Sequence, residues 1–302
     1  MIDVVLLGCG GGMPMPNRNL SSILLNYRGR KILVDCGEGT QVSMRMVGWG
    51  FKTIDIICIT HIHGDHIVGL PGSLATIGNS GRTDPLTIIG PEGIENTVNS
   101  LRVICPYLPY DIKIIENPID TIELDNFINI STLNLDHSAP CLGYSFYIKR
   151  APKFSVEKAL ENNVPKDLWN VLQKGNEIEF EGRRFYPSMV LGEDREGIKL
   201  SIITDTRPIE EIIDFVRDSY LFICEGTYGD DNDLEKAIKN KHMTFREAAN
   251  LAKNAEVGEL LLTHFSPAME EPSWYLVNAK DVFENIVIGE DRLIKTLSFR
   301  DS

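Results

Sequence analysis

Thr60-His61-Ile62-His63-Gly64-Asp65-His66 follows directly on the apolar run Ile56-Ile57-Cys58-Ile59, and this junction decides both the fold and the chemistry. The apolar run predicts a buried strand. In an extended chain alternate side chains share a face, so His61 and His63 project together from the strand end and can grip one ion. Gly64 permits a sharp turn. Asp65 and His66 then open a helix, where they can grip a second ion across that turn. Four potential ligands crowded into one short segment set it apart from a lone core histidine.

The same device recurs downstream. His137 follows Leu133-Asn134-Leu135, Asp205 follows Leu200-Ser201-Ile202-Ile203-Thr204, and His264 follows Leu260-Leu261-Leu262-Thr263. Strand ends gathered on one sheet edge are where α/β proteins place their sites. Asp205 is then the natural carboxylate to bridge two ions. Imidazole and carboxylate without thiolate suit zinc first, then manganese, iron or cobalt. Two such ions about 3.5 to 4 Å apart favour displacement at phosphorus and lower the pKa of the water between them.

Around these motifs short β-rich runs alternate with helical stretches, which predicts an α/β fold. The pattern places strands over 2–8, 20–27, 31–35, 55–60, 86–89, 128–135, 141–148, 199–204, 220–224, 258–263 and 293–298. Helices are expected over 37–47, 65–78, 91–103, 208–217, 243–255 and 278–287. The 302 residues are 43% hydrophobic and 24% charged, which excludes a disordered or collagen-like chain. No apolar run reaches the roughly 18 residues of a membrane span, so no membrane role is expected. Met1-Ile2-Asp3 leads straight into Val4-Val5-Leu6-Leu7-Gly8, a strand pattern rather than a secretory signal. None of the six cysteines forms a Cys-x-x-Cys pair, and they read as reduced thiols of a cytoplasmic protein.

The net charge of −13 opposes non-specific binding to nucleic acid or anionic membrane. A polyanionic substrate must therefore meet local positive charge. One segment, 149–184, carries eight basic residues against six acidic ones, net +2 where the rest of the chain carries −15. It holds two short amphipathic pieces, Val156 to Leu160 and Lys166 to Leu172, and reads as a solvated helix pair or as an arm that touches an anionic partner. Trp169 within it is expected to anchor a helix rather than to stack on bases. The glycines of Gly8-Cys9-Gly10-Gly11-Gly12 lack the following Lys-Ser/Thr of a P-loop, so no nucleotide cofactor is expected. They predict a tight turn that brings backbone close to the metal site.

The block His61-x-His63-x-Asp65-His66, with His137, Asp205 and His264, resembles the metallo-β-lactamase superfamily over essentially the whole chain. Within it, several stretches are similar to the ribonuclease Z family: Leu7-Gly8-Cys9-Gly10-Gly11-Gly12-Met13-Pro14 with Arg18-Asn19-Leu20-Ser21-Ser22, Asp35-Cys36-Gly37-Glu38-Gly39-Thr40-Gln41, Gly64-Asp65-His66-Ile67-Val68-Gly69-Leu70-Pro71-Gly72, His137-Ser138-Ala139-Pro140-Cys141-Leu142-Gly143-Tyr144 and Thr204-Asp205-Thr206-Arg207-Pro208. The 149–184 segment falls where that family carries its tRNA-binding arm, although Pro165-Lys166-Asp167-Leu168-Trp169 stands in place of the family's Gly-Pro motif.

The resemblance implies a single αβ/βα four-layer sandwich over 1–302 with an inserted arm at 149–184. It implies an endoribonuclease with two zinc ions that removes the 3′ trailer of precursor tRNA, leaving a 3′ hydroxyl. It also implies a homodimer. His61, His63 and His137 would hold one zinc, Asp65, His66 and His264 the other, with Asp205 between them. Asp65 would handle the proton of the attacking water. Glu225, in Cys224-Glu225-Gly226-Thr227, and His242, in His242-Met243-Thr244, match the family's pair beside the departing oxygen. Arg18, Asn19 and Arg207, and at the start of the arm Lys149, Arg150 and Lys153, are the substrate-binding candidates. The alternative is a metal-dependent phosphodiesterase with the same site acting on another RNA or a small phosphodiester.

Overall fold

A computed structural model describes residues 1–124 and 127–300. The chain divides into two compact units, one formed by Met1–Tyr147 with Ile198–Ser298, the other by Ile148–Gly197 with the chain end from Phe299. The first sheet of the larger unit begins with β1 (Ile2–Gly8), β2 (Ser22–Tyr27), β3 (Arg30–Val34), β4 (Ile54–Cys58), β5 (Leu86–Gly90) and β6 (Ile112–Glu116). The second begins with β7 (Ile122–Leu124), β8 (Ile128–Asn134) and β9 (Leu142–Arg150). After the hairpin β10 (Ile178–Phe180) and β11 (Arg183–Phe185) of the smaller unit, it continues with β12 (Arg195–Ile203), β13 (Leu221–Glu225), β14 (Leu260–Thr263) and β15 (Ile286–Ile288). β16 (Ile294–Leu297) returns to the first sheet, giving orders β16-β1-β2-β3-β4-β5-β6 and β15-β14-β13-β12-β9-β8-β7.

Parallel pairing fixes where the chemistry can go. β3, β4, β5 and β6 run parallel, as do β12, β13, β14 and β15. Within each sheet the ends of these strands therefore open on one edge. Strands buried on both faces carry continuous apolar sequence, and every residue of β13 and β14 is buried.

The first sheet packs Val5, Leu7, Leu24, Leu33 and Ile57 against α1 (Thr40–Val47), α3 (Leu70–Asn79) and α4 (Ile94–Leu101), which contribute Met44, Leu70, Leu74, Ile77, Ile94 and Val98. The short α2 (Gly64–Ile67) precedes α3. The smaller unit has a core of its own, in which α5 (Val156–Glu161) and α6 (Trp169–Gln173) bury Ala159, Leu168, Leu172, Phe185 and Val190. Trp169 packs on Phe154 and donates its indole N–H to the Val164 carbonyl at 3.0 Å, so it anchors the helix as expected. Against β13 and β14 packs α9 (Phe245–Asn254), flanked by α7 (Glu211–Val216) and α10 (Val277–Lys280); α8 (Leu234–Asn240) precedes it in the chain. The resulting architecture is the metallo-β-lactamase sandwich expected from the sequence.

Two expected helices differ. The one over 65–78 is broken at Val68–Gly69 into α2 and α3. The Gly69 N–H bonds to the Cys36 carbonyl at 2.8 Å, and a Cβ there would lie 2.3 Å from the Gly37 oxygen. Backbone contact with the β3 turn thus overrides helical continuity. The helix over 278–287 stops at Lys280, because Ile286-Val287-Ile288 pairs with β14 as a strand, in keeping with its β-branched side chains.

Tyr144, fully buried on β9, crosses between the sheets and donates to the Ile59 carbonyl at 2.7 Å, with the Ile89 carbonyl at 3.3 Å. Tyr144→Phe leaves buried acceptors without that donor and should lower unfolding free energy by about 1 to 3 kcal/mol. Denaturant unfolding checks this, and an unchanged midpoint would contradict it.

Candidate metal centre and catalytic cleft

Turns at strand ends deliver the ligands. Asp35 after β3, Asp205 after β12 and His264 after β14 have φ of 58°, 22° and 58°. Such left-handed backbone at non-glycine positions is held at a cost of about 1 to 3 kcal/mol each and is typical of functional sites. Gly11 lets the first loop approach, since a Cβ on it would lie 2.4 Å from the His264 ring. The Gly12 N–H donates to Asp65 Oδ2 at 2.6 Å. The glycine-rich turn therefore brings backbone to the site, as its composition predicted.

The seven expected ligands converge in two groups. His61 Nε2, His63 Nδ1 and His137 Nε2 meet, with His63 Nδ1 2.9 Å from His61 and 3.2 Å from His137. His66 Nε2 and His264 Nε2 lie 3.1 Å apart, and Asp65 Oδ2 is 3.7 and 3.4 Å from them. Asp205 joins the groups: its Oδ2 is 3.7 Å from His61 Nε2 and 4.0 Å from His137 Nε2, while its Oδ1 is 3.4 Å from His66 and 3.3 Å from His264.

The outer ring atoms settle which nitrogens face inward. His66 Nδ1 is 2.7 Å from Asp35 Oδ2 and so donates to it. His137 Nδ1 donates to the Lys241 carbonyl at 3.1 Å. The Thr60 hydroxyl gives its one hydrogen to Asp35, at 2.9 to 3.0 Å, so it accepts from His61 Nδ1 at 3.1 Å. Likewise the Thr227 hydroxyl donates to Glu225 Oε2 at 2.6 Å and accepts from His264 Nδ1 at 3.0 Å. In all four rings the Nε2 lone pair is left aimed at the centre, which is how outer partners prepare metal-binding imidazoles.

The residues fit a pair of metal ions. Among the described residues Asp205 Oδ1 has no hydrogen-bond partner although it is buried, and buried charge is tolerated where it is paired or binds metal. Among the described residues, three overlapping sets drawn from these seven present donor atoms within 4.8 Å of one another, and a fourth joins Asp205 and His264 to His242. Burial holds His61 and His137 below the usual imidazole range, which keeps their lone pairs available. At His66 the charges of Asp205 and Asp35 outweigh burial and push it up. Burial would raise Asp65 and Asp205, but their histidine neighbours hold both below the ordinary carboxylate range.

Glu225 and His242 form a second constellation. His242 Nδ1 is 3.2 Å from Glu225 and 3.8 Å from Asp205, and its ring stacks on His264 at 5.5 Å. Glu225, fully buried, also accepts from the Thr206 N–H at 2.7 Å and the Met243 N–H at 3.2 Å. Burial opposes the charged imidazole, yet Glu225 overcomes it and raises His242 to about 9. Asp65, His63, His137, Asp205, His242 and His264 all line one cleft of about 280 Å³.

Of the remaining candidates, Arg18, Asn19, Arg207 and Arg150 have hydrogen-bond partners within the chain. Arg18 donates to the carbonyls of Ser266, Met269 and Glu270. The Asn19 amide donates to Ser43 Oγ at 2.7 Å. Arg207 is bidentate to Glu247 and also bonds the His242 carbonyl, holding the turn that carries His242. These three have internal partners, and a substrate contact for them remains a proposal. Lys149, Arg150 and Lys153 lie in the smaller unit, where Arg150 bonds the Arg300 carbonyl at 2.7 Å and Lys153 is exposed. Asp35, Thr60, Thr227 and Lys241 orient the ligand rings and are not singled out by the sequence motifs. Asp35 was within reach of the strand-end rule, since it follows Ile32-Leu33-Val34 as Asp205 follows its own strand. The others act through a hydroxyl or a backbone carbonyl that leaves no chemical signature.

Residues 2–158 match the family model described as anti-Pycsar protein Apyc1. Over 307 aligned residues the chain is 67% identical to ribonuclease Z of Clostridium beijerinckii, with 100% of both chains covered. It is 61% identical to ribonuclease Z of Clostridioides difficile, with 99% of each covered. Among solved structures, the metallo-β-lactamase fold protein YhfI of Bacillus subtilis shares the fold with a TM-score of 0.72 at 20% identity, covering 98% of this chain and 100% of that one. The short form of human tRNase Z does so with a TM-score of 0.71 at 24% identity, over 98% and 100%.

Thr227 links the two constellations, so its loss should loosen His264. Thr227→Val is expected to weaken metal binding about 10- to 100-fold, while Thr227→Ser retains it. Competition with a chelator measures this; equal affinities for wild type and Thr227→Val would contradict the link.

Proposed function

The chain belongs to the ribonuclease Z family, and from that premise and the geometry of the cleft we propose that it is a zinc-dependent endoribonuclease that removes the 3′ trailer of precursor tRNA. One observation carries the mechanism: Asp205 turns one oxygen to each ligand group, with Asp65 beside one of them and His242, backed by the buried Glu225, facing the same cleft. His61, His63 and His137 would hold one zinc, and Asp65, His66 and His264 the other, with Asp205 shared. Two zinc ions there would lower the pKa of the attacking water and supply positive charge to the reacting phosphate.

The chain's own groups do the rest. Asp65, fixed by the Gly12 N–H, orients the water and receives its proton. His242, raised to about 9, is protonated at neutral pH and hands its proton to the departing 3′ oxygen. Glu225 keeps the ring oriented and offsets its charge. The trailer leaves with the phosphate, and the tRNA keeps a 3′ hydroxyl.

The reading includes a cytoplasmic homodimer. Val42 and Met46, one turn apart on α1, are exposed at 61% and 67% and offer an apolar face to a second copy. Among the described residues no helix is long and apolar enough to cross a membrane. All six cysteines are free, in keeping with a reducing compartment.

Incubating purified protein with an unprocessed tRNA transcript tests the function. A single cut at the 3′ end, abolished by chelator and restored by zinc, is expected; an intact transcript under zinc would refute it. His242→Ala should slow an alkoxide-leaving RNA far more than a nitrophenyl ester, whose leaving group needs no proton. Equal losses on both would assign the ring to binding instead. The basic 149–184 segment is proposed to dock tRNA. Shortening it to a tight loop should raise KM for precursor tRNA and spare small phosphodiesters, whereas normal processing would favour the small-phosphodiester alternative.

A further inference from the structure

In the proposed reaction the departing oxygen stays on the retained nucleotide, so the ribose that carries it must sit beside His242. The base of that nucleotide is one glycosidic bond further on. The cleft wall next to His242 is Tyr228, whose ring centroid lies 6.4 Å from the imidazole with the planes inclined at 60°. Tyr228 is half-buried, and no step of the chemistry uses it.

Its position is fixed from both ends. The Tyr228 carbonyl accepts from the Phe245 N–H at 2.9 Å and its N–H reaches the Met243 carbonyl at 3.3 Å, pairing it with the segment that begins at His242. At the far end of the ring the hydroxyl accepts from Asn240 Nδ2 at 2.7 Å. The cleft of about 280 Å³ lies just below the range of ordinary ligand pockets, a size suited to one phosphodiester and an adjoining base rather than a duplex.

We propose that Tyr228 is the stacking platform for the base of the nucleotide whose 3′ oxygen departs. The inference rests on the ribonuclease reading above and adds to it a residue for substrate positioning. A π face accepts every base, so the ring registers that a base is present and leaves its identity largely unread. Placing the base against Tyr228 also places its ribose, and hence the departing oxygen, at the imidazole that protonates it.

The test uses precursor tRNA whose last retained nucleotide is either intact or abasic, with kcat/KM measured for the zinc-loaded wild type, Tyr228→Leu and Tyr228→Phe. The ratio of intact to abasic substrate is expected to be about five- to a hundredfold for wild type, the range that loss of a base–aromatic stack gives. Tyr228→Phe keeps the ring and should keep the ratio. Tyr228→Leu keeps apolar bulk and should bring the ratio near one. A wild-type ratio near one, or a ratio that Tyr228→Leu leaves unchanged, overturns the proposal. If the wild type cuts neither RNA, the ribonuclease reading falls and takes this one with it; cutting with unchanged ratios removes this one alone.

Discussion

Asp205 sets the terms for the rest of the structure. It is a buried carboxylate on strained backbone, with five imidazole nitrogens within about 4 Å and one oxygen that has no hydrogen-bond partner among the described residues. A charge so placed is tolerated only opposite positive charge. The parallel strands, the left-handed turns at their ends and the glycines that admit backbone between them all serve to bring that charge, and its neighbours Asp35 and Asp65, to one edge of the sandwich. Cations held by the imidazoles, as proposed, would meet the cost of this concentration.

The acid pair is bound into the same arrangement. Thr227 has one hydrogen, and giving it to Glu225 obliges the hydroxyl to accept from His264. A single side chain thereby fixes both the carboxylate that raises His242 and the tautomer of a metal-facing ring. Arg207 extends the link, since it grips Glu247 of the α9 capping box together with the His242 carbonyl. In the proposed mechanism attack and departure would thus be served by groups whose positions depend on each other.

Much of this was legible in the sequence because the period of a strand is simple. The apolar run Ile56 to Ile59 followed by His61 and His63 announced a strand end with two ligands on one face, and the downstream strands repeated the device. What escaped was non-local. Gly69 ends α2 because it meets the Cys36 and Gly37 backbone, a contact no helical pattern records. Ile286-Val287-Ile288 is short enough to be read as the tail of a helix until β14 lies beside it. β6, with only half-buried and exposed side chains, and the short β7 had no clear apolar signature. The charges of Arg18 and Arg207 are visible in the sequence, whereas the carbonyls and the Glu247 carboxylate that engage them are not.

The most direct measurement is anomalous diffraction at the zinc absorption edge from crystals of the zinc-loaded protein. The account predicts two maxima, one beside each carboxylate oxygen of Asp205, the first among His61, His63 and His137 and the second among Asp65, His66 and His264. A single maximum at full occupancy, or two that do not share Asp205, would contradict it.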